Sequence, residues 1–297
     1  MSISNPKVAV ITRTKDRVLL LERALQSVHN QSMSDFVHVI INDGGDPGPV
    51  DALLKRYESL TAGRVKLIHN EVSGGMEAAS NKAIKSVRSD YVAIHDDDDS
   101  WHPDFLERTV KVLDAGEMGV VVRTDKITEE IVSEKNTVRR IKTEQWMPDM
   151  KVISLYRQCI DNQMTPITFI YRRSVFEKIG YYDETLPVLG DWDFGIRFLQ
   201  NYDVEYLDPG FALANYHHRK FVVGSTTNNS FGSGTEKHRY YVNKLSNKYL
   251  RQELQEGRLG VGYIMSGLKY NQTVLATIAK RILPGFVANK LKKRVQN

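Results

Sequence analysis

The sequence is poor in the residues that build several common sites and anchors. It has one cysteine in 297 residues, Cys159, so internal disulfide bonds and cysteine-based zinc clusters are excluded. No apolar run is long enough to span a membrane, and the first residues lack the charged, apolar and small-residue order of a signal peptide. We therefore expect a cytoplasmic protein.

An excess of charge of one sign is also missing. Lysine and arginine number 41 against 36 aspartates and glutamates, and the formal net charge of +5 does not indicate a nucleic-acid partner. The glycine pairs at 44–45 and 74–75 belong to neither a G-x-G-x-x-G nor a Walker A motif, which argues against those two modes of nucleotide binding. Hydrophobic residues make up 41% of the chain, which is typical of a globular protein with a substantial core.

What is present is a regular alternation of short apolar runs and helical patterns. The runs, which we interpret as strands, are residues 7–11, 36–41, 65–69, 91–95 and 119–123. Strands that alternate with helices predict an α/β fold with a mostly parallel sheet and right-handed crossovers. Ligands of such sheets bind beyond the carboxyl ends of the strands. Residues 126–144 alternate polar and β-branched side chains, which predicts an exposed hairpin or an exposed excursion from the sheet.

Four consecutive aspartates, residues 96–99, follow the fourth predicted strand. Adjacent carboxylates repel one another, and a cation or a solvated strand end relieves that repulsion. Asp96 and Asp98 lie two residues apart, so an extended backbone turns both to one side. Their hard oxygen atoms suit Mg²⁺ or Mn²⁺. The alternative is a solvated acidic turn that caps the next helix.

Other polar residues end the first two predicted strands. Asp43 can accept a hydrogen bond from the imide N–H of a nucleobase, and Thr12 and Thr14 place hydroxyl groups beside it. The alternative for residues 42–45 is a simple turn, because Asn, Asp and Gly favour turns.

The order and spacing of four segments resemble family 2 glycosyltransferases. The segments are residues 8–14 (VAVITRT), 40–44 (IINDG), 74–83 (GGMEAASNKA) and 96–107 (DDDDSWHPDFLE), and the resemblance covers residues 5–220. It implies a GT-A fold, a nucleotide-sugar donor and a divalent cation. Position 80 departs from the family pattern, because Ser80 stands where an arginine is usual.

The resemblance also implies roles for single residues. Asp43 contacts the nucleobase and Asp96 the ribose, while Asp98 binds the cation that bridges the diphosphate; Asp97 lies beside them. Asn81 keeps a place near the nucleotide.

A second group of acidic residues surrounds Trp192. Asp191 stands at a loop-to-helix boundary, where an N-cap is the common use of an aspartate. The resemblance implies instead that Asp191 is the catalytic base of an inverting transfer, although Gly190 replaces the acidic residue that usually precedes it. Asp193 and Arg197 are one helical turn apart, which predicts a structural ion pair.

Two adjacent histidines, His217 and His218, point to opposite sides of an extended chain, so at most one joins a metal site readily. The alternative is a pair of surface histidines beside basic residues. The resemblance implies a histidine near the metal or diphosphate. We favour His218, with Asp98 as the second metal ligand, and Arg219 or Lys220 would add positive charge for the diphosphate.

The predicted organisation has three parts. Residues 1–222 form a GT-A catalytic domain, with a nucleotide-binding half (1–118) and an acceptor half (119–222). Residues 223–234 form a flexible loop that closes over the donor, and residues 235–297 form a helical extension. Within it, residues 273–295 are basic and amphipathic, which fits an anionic membrane surface, a dimer contact or packing on the catalytic domain.

The prediction for function is an inverting glycosyltransferase that uses Mn²⁺ or Mg²⁺. It moves a sugar from a nucleoside-diphosphate donor, most simply a UDP-sugar, to a glycan or lipid-linked oligosaccharide in bacterial surface polysaccharide synthesis. One alternative is a metal-dependent nucleotidyltransferase, although residues 12–17 lack the glycines of its phosphate loop. Another is a non-catalytic module that binds nucleotide sugars or glycans.

Overall fold

The computed structural model describes residues 5–132, 137–219 and 235–267. Eleven strands lie in these ranges and form two sheets. They are β1 Val8–Thr14, β2 Phe36–Asp43, β3 Val65–Asn70, β4 Tyr91–Ile94, β5 Ser100–Trp101, β6 Gly119–Val122, β7 Thr124–Val132, β8 Thr137–Gln145, β9 Phe169–Arg172, β10 Glu205–Leu207 and β11 Ala214–Arg219.

The larger sheet has seven strands in the order β10-β6-β9-β4-β1-β2-β3. Its neighbours pair in parallel, except that β9 runs antiparallel to both β4 and β6. The predicted α/β fold with a mostly parallel sheet is therefore confirmed. The central strands are buried on both faces, which explains why they are continuous apolar runs in the sequence.

Helices cover both faces of this sheet. They are α1 Val18–His29, α2 Pro47–Arg56, α3 Glu58–Thr61, α4 Met76–Lys85, α5 Phe105–Asp114, α6 Leu155–Gln158, α7 Val175–Ile179, α8 Gly190–Leu199, α9 Thr235–Gln255 and α10, residues 261–267. The apolar stripes of α1 and α5 pack on the face that carries Val8 and Val10, and those of α4, α7 and α8 pack on the face that carries Ala9 and Ile11.

Strands β1 and β2 extend further than the sequence predicts. Thr12–Thr14 was expected to begin a polar turn, but these residues continue β1, because they pair with Ile40–Asn42 of the neighbouring strand. The extension matters for the site, since it makes side chains alternate between the two faces up to the last residue of β1.

The second sheet has four strands in the order β5-β11-β7-β8. The predicted hairpin is present as the antiparallel pair β7–β8. It is not a free excursion, however, because β7 also pairs in parallel with β11, and β11 pairs with the short strand β5 that directly follows the aspartate run. The second sheet therefore holds β11 against the acidic residues.

The first part of the predicted helical extension packs against α8. Leu245, Tyr249, Val261 and Met265 of α9 and α10 share an apolar cluster with Trp192 and other residues of that region. No helix in the described ranges is long and apolar enough to cross a membrane. The predicted loop 223–234 and the basic segment 273–295 lie outside the described residues, and the three-part division stays a prediction.

Candidate active site

The carboxyl ends of β1, β2 and β4 meet at one edge of the larger sheet, and Arg13 connects the polar groups there. Its guanidinium group forms an ion pair with Asp96 and donates to the Ser80 hydroxyl on α4 at 3.1 Å. Burial alone would lower the pKa of Arg13, but the charge of Asp96 raises it, and the pKa lies above its ordinary value. Arg13 thus reaches the position where the family pattern has an arginine.

Asp191 lies in the first turn of α8, on the same face of the sheet as α4. Its Oδ2 accepts a hydrogen bond from the Asn162 amide at 2.8 Å. Burial raises the pKa of Asp191, the charge of Asp96 raises it further, and the charge of Arg13 lowers it. The charges of Asp96 and Arg13 both act on Asp191, so the aspartate run and Asp191 lie within electrostatic reach of each other.

Tyr216 of β11 lies between these two acidic groups. Burial raises the pKa of its hydroxyl, and the charges of Asp99, Asp98, Asp96 and Asp191 raise it further. The Trp146 ring meets Tyr216 edge-on, with ring centroids 5.4 Å apart. Two aromatic rings, of Tyr216 and Trp146, therefore lie beside the carboxylates.

The four aspartates of the acidic run have different partners. Asp96 pairs with Arg13, while Asp97 and Asp98 pair with Arg17 at 3.0 and 2.6 Å. Asp98 also pairs with Arg219 of β11. Burial and the charge of Asp98 raise the pKa of Asp97 to about 7, against the opposing charge of Arg17.

His217, rather than His218, contacts the acidic run. Its backbone N–H donates to Asp99 Oδ1 at 2.7 Å, and its ring nitrogens lie 2.9 Å from Ser100 Oγ and 2.7 Å from Glu129 Oε2. Hydrogen bonds and nearby cations overcome burial and lower the pKa of Glu129 to about 2, so Glu129 is ionised and accepts from Nδ1–H of His217.

His218 points to the other face of β11, as the alternation of an extended chain requires. Its ring lies 6.3 Å from that of Tyr216, and burial with the charges of Lys126 and Arg219 lowers its pKa.

The predicted ligands do not form a metal site in this arrangement. Among the described residues, no three histidine, cysteine or acidic side chains are grouped so that they could hold an ion. The carboxylates already have other partners. Asp98 pairs with the guanidinium groups of Arg17 and Arg219, Asp96 pairs with Arg13, and Asp99 accepts from the His217 N–H. Binding of Mn²⁺ or Mg²⁺ at Asp98 and His218 stays a prediction, and the side chains as placed do not fit it.

Asp43, the predicted nucleobase contact, holds the loop between β3 and α4. Its carboxylate accepts hydrogen bonds from the Asn70 side chain at 2.8 Å, the Ser73 hydroxyl at 2.7 Å and the backbone N–H groups of Gly74 and Gly75 at 3.0 Å. Burial works against ionisation, but these bonds prevail and hold the pKa of Asp43 below its ordinary value. Contact with a nucleobase stays a prediction for this residue.

Two predicted nucleotide contacts need correction. Thr12 is fully buried, and its hydroxyl lies 2.8 Å from His38 Nε2 within the core, because alternation along β1 turns it away from Arg13. Asn81 is also buried: its amide donates to the Tyr182 carbonyl and to Glu184, and its oxygen accepts from the Tyr182 N–H. Both side chains therefore fix the fold. Thr14 is buried at the end of β1, and its contact with the nucleotide stays a prediction.

The predicted ion pair of Asp193 and Arg197 is present at 2.7 Å. Asp193 is fully buried and also accepts a hydrogen bond from the Tyr249 hydroxyl of α9 at 3.0 Å. The extension thus supports the helix that carries Asp191.

The residues around the predicted site that were missed in the sequence include Arg13 and Glu77. If the prediction had extended β1 to Thr14, strand alternation would have placed the Arg13 side chain on the opposite face of the sheet from Thr12. Glu77 gave no signal, because an acidic residue in the first turn of a helix is ordinary.

Comparison with known proteins agrees with this geometry. Residues 9–180 match the model of glycosyl transferase family 2, which covers more than half of the chain. The chain belongs to glycosyltransferase family 2. Enzymes of this family generally use divalent metal ions.

Relatives of this glycosyltransferase include proteins with and without an assigned role. YwdF of Bacillus subtilis (strain 168), an uncharacterized glycosyltransferase, is 27% identical over 257 residues, which are 84% of this chain and 86% of YwdF. WcaA of Escherichia coli (strain K12), whose name assigns it to colanic acid biosynthesis, is 31% identical over 103 residues, 35% of this chain and 36% of WcaA.

The fold is that of TarS 1-349 of S. aureus, solved in complex with UDP-GlcNAc. The TM-score is 0.62 at 19% identity, and the alignment covers 82% of this chain and 66% of that one. Against the same TarS fragment without ligand, this chain spans 60% of the length. At this identity the likeness establishes the GT-A fold.

Proposed function

We propose that this glycosyltransferase inverts the anomeric centre as it moves a sugar from a nucleoside-diphosphate donor to a hydroxyl group of a glycan. The main support for the proposal is that Asp191 lies close to the Arg13–Asp96 pair. The charges of both residues of that pair shift the pKa of Asp191. A direct displacement requires one carboxylate near the donor site, because a single base is enough to remove the proton of the acceptor hydroxyl.

In the proposed reaction the acceptor oxygen attacks the anomeric carbon as the bond from that carbon to the diphosphate oxygen breaks. Asp191 takes the proton of the acceptor hydroxyl, and the nucleoside diphosphate leaves with the bonding electron pair. The Asn162 amide donates to Oδ2 of Asp191, which orients the carboxylate toward the acceptor in the proposed reaction. Arg13 supplies positive charge on the donor side of the cleft.

The donor we propose is a UDP-sugar. TarS, which shares this fold, has been solved with UDP and with UDP-GlcNAc. A nucleobase with an imide N–H would suit the carboxylate of Asp43, whose pKa is low and which is therefore a hydrogen-bond acceptor at neutral pH.

Mn²⁺ or Mg²⁺ would supply charge for the departing diphosphate, as the family implies. The residues as placed do not fit the ion, since Arg17 and Arg219 hold Asp98. The chain's own positive charge at this edge of the sheet comes from Arg17, Arg219 and Arg13.

The acceptor we propose is a glycan or a lipid-linked oligosaccharide in bacterial surface polysaccharide synthesis. The similarity to WcaA supports it. A cytoplasmic location, with the segment 273–295 on the inner face of the membrane, would bring the site to such an acceptor.

The test uses the purified full chain and a panel of UDP-sugars, with and without Mn²⁺. Turnover is followed as UDP release, and donor binding as a rise in Tm. We expect Asp191→Asn to keep donor binding and to lose a factor of about 10² to 10⁴ in transfer. Asp203→Asn, which changes an exposed carboxylate before β10, is the matched control. Full transfer in Asp191→Asn would remove Asp191 from the role of base.

A further inference from the structure

Glu77 lies in the first turn of α4 with its carboxyl group inside the protein. The residue is 4% exposed, and its Oε2 has no hydrogen-bond partner within the described part of the chain. A buried carboxyl oxygen without a partner is costly, so its place in the fold calls for a physical explanation.

The carboxyl group of Glu77 packs against Gly190, the residue that precedes Asp191. A Cβ atom built on Gly190 would lie 2.6 Å from Cγ of Glu77 and nearer still to its carboxyl carbon. The backbone conformation of Gly190 itself lies outside the left-handed region, so the reason for glycine here is the space that Glu77 fills. Glu77 therefore occupies the volume where a side chain at position 190 would begin.

Several groups lie within electrostatic reach of Glu77 from the elements packed around it. They are Arg13 of β1, Asp96 after β4, Asp191 and Asp193 of α8, Tyr171 of β9 and Tyr182 before α8. Burial raises the pKa of Glu77 to about 8, the charge of Arg13 lowers it, and the three aspartates raise it. At pH 7 the group is therefore mostly uncharged, and it becomes ionised in the mildly alkaline range.

We infer that Glu77 is a positioning residue for Asp191: its carboxyl group fills the space beside Gly190 and fixes the start of α8, the turn that carries Asp191. The inference rests on the proposed function, because it assigns Glu77 to the same transfer. Loss of the proton places a further negative charge beside Asp191 and Asp96. The repulsion displaces the start of α8, so the base no longer meets the acceptor correctly.

The first test is the pH dependence of kcat between pH 6.5 and 9.5. The wild-type protein loses transfer as the pH rises through about 8, whereas Glu77→Gln, which is neutral at every pH, lacks this decline. Glu177→Gln, an exposed glutamate in the first turn of α7, keeps the wild-type profile. A side chain that only filled space would leave the alkaline decline in place in Glu77→Gln, and that result would overturn the inference.

The second test moves the carboxyl group to the neighbouring position. Glu77→Ala empties the space beside Gly190, and we expect kcat to fall at least tenfold. The double variant Glu77→Ala/Gly190→Glu supplies a carboxyl group from position 190, and we expect it to recover most of that loss. A double variant no more active than Glu77→Ala would contradict the inference.

A third measurement does not depend on activity. Because burial raises the pKa of Glu77 in the folded state, the wild-type protein loses stability relative to Glu77→Gln as the pH rises from about 5 to 8. We expect the gap in Tm to widen by at least about 4 °C over this range. A difference in Tm between wild type and Glu77→Gln that does not change with pH would overturn the inference, even if no donor is turned over. Absence of transfer in the wild-type protein, with the pH-dependent difference in Tm present, would instead overturn the proposed function.

Discussion

Arg13 and Asp96 form an ion pair although they are 83 residues apart in the chain. The pair joins the end of β1 to the acidic run after β4, and Arg13 also reaches Ser80 on α4. Three elements, β1, α4 and the acidic run after β4, are therefore linked through one guanidinium group at the edge of the sheet.

Replacing Arg13 with methionine should destabilise the fold and raise the pKa of Asp191, the proposed base. Removal of one partner leaves Asp96 without its counter-charge, and we expect the free energy of unfolding to fall by about 3 kcal/mol. Arg13 also lowers the pKa of Asp191, so its loss should move the acidic limb of the kcat profile to higher pH. Urea unfolding and a pH series of transfer measure the two effects.

The control for this substitution is Arg56→Met. Arg56 pairs with Glu22 at 3.0 Å on the surface, with 60% of its side chain exposed, and such pairs contribute little. A loss in Arg13→Met no larger than that in Arg56→Met would show that the Arg13–Asp96 pair does not hold the site together.

Substitution of Gly190 by alanine should disturb the start of α8. The new methyl group overlaps the carboxyl group of Glu77, and overpacking of this kind costs about 1–3 kcal/mol. Transfer should fall with it, because Asp191 is the next residue. Gly267→Ala is the matched control, since Gly267 also lies in a helix, α10, and a Cβ built there meets no other part of the described chain within 4 Å. The change in Tm of Gly190→Ala is compared with that of the control. Equal changes would mean that the Glu77 side chain moves aside without cost.

The sequence predicts this fold well where a pattern is local. The apolar runs at β1, β2 and β4 predicted the parallel sheet, because a strand buried on both faces must be apolar throughout. The polar end of β1 was not predicted, since Thr12–Thr14 resemble a turn and only their pairing with β2 makes them a strand.

The site was predicted less completely, because the sequence does not show which polar groups already have partners. Thr12 and Asn81 are saturated by His38 and by the backbone at Tyr182, contacts across 26 and 101 residues that no spacing rule reveals. Glu77 beside Gly190 is a contact of the same kind. Asp191 was found through the family resemblance, whereas its spacing alone indicated a helix cap.

Asp43→Asn should destabilise the loop between β3 and α4 in a pH-dependent way. An asparagine cannot accept all four hydrogen bonds that Asp43 accepts, and we expect a loss of about 1–3 kcal/mol at pH 7. The folded-state pKa of Asp43 lies below 3.8, so its contribution is present above that value and is lost as the pH falls through the lower one. The difference in stability between wild type and variant should therefore shrink below pH 4.

Urea unfolding at pH 7 and pH 3 measures this difference, and Asp203→Asn controls for the loss of a surface charge. If the difference in stability between wild type and Asp43→Asn is the same at both pH values, the charge of Asp43 does not stabilise the loop.

Arg219→Met should make the acidic run a better cation site. Arg219 and Arg17 both pair with Asp98, so a divalent cation competes with two guanidinium groups for one carboxylate. Removing one of them should raise the affinity for Mn²⁺ by at least about tenfold, which corresponds to 1.4 kcal/mol. Calorimetric titration with Mn²⁺ measures the change, and Arg251→Met, on the exposed side of α9, is the control. Equal affinities in the two variants would show that Arg219 and the ion do not compete.

Tyr249→Phe tests whether the helical extension supports the catalytic helix. The Tyr249 hydroxyl donates to Asp193 Oδ1 at 3.0 Å, and Asp193 is fully buried one turn from the start of α8. A hydrogen bond to a charged group contributes about 1.5–3 kcal/mol, and Arg197 remains as a second partner, so we expect a loss near the lower end of that range. Transfer should fall by more than the small change in the folded fraction accounts for, because Asp191 shares the first turn of α8 with Asp193. Tyr263→Phe removes a hydroxyl from an exposed side chain of α10 and should change neither quantity. If Tyr249→Phe lowers stability and leaves kcat unchanged, the extension stabilises the fold without positioning the base.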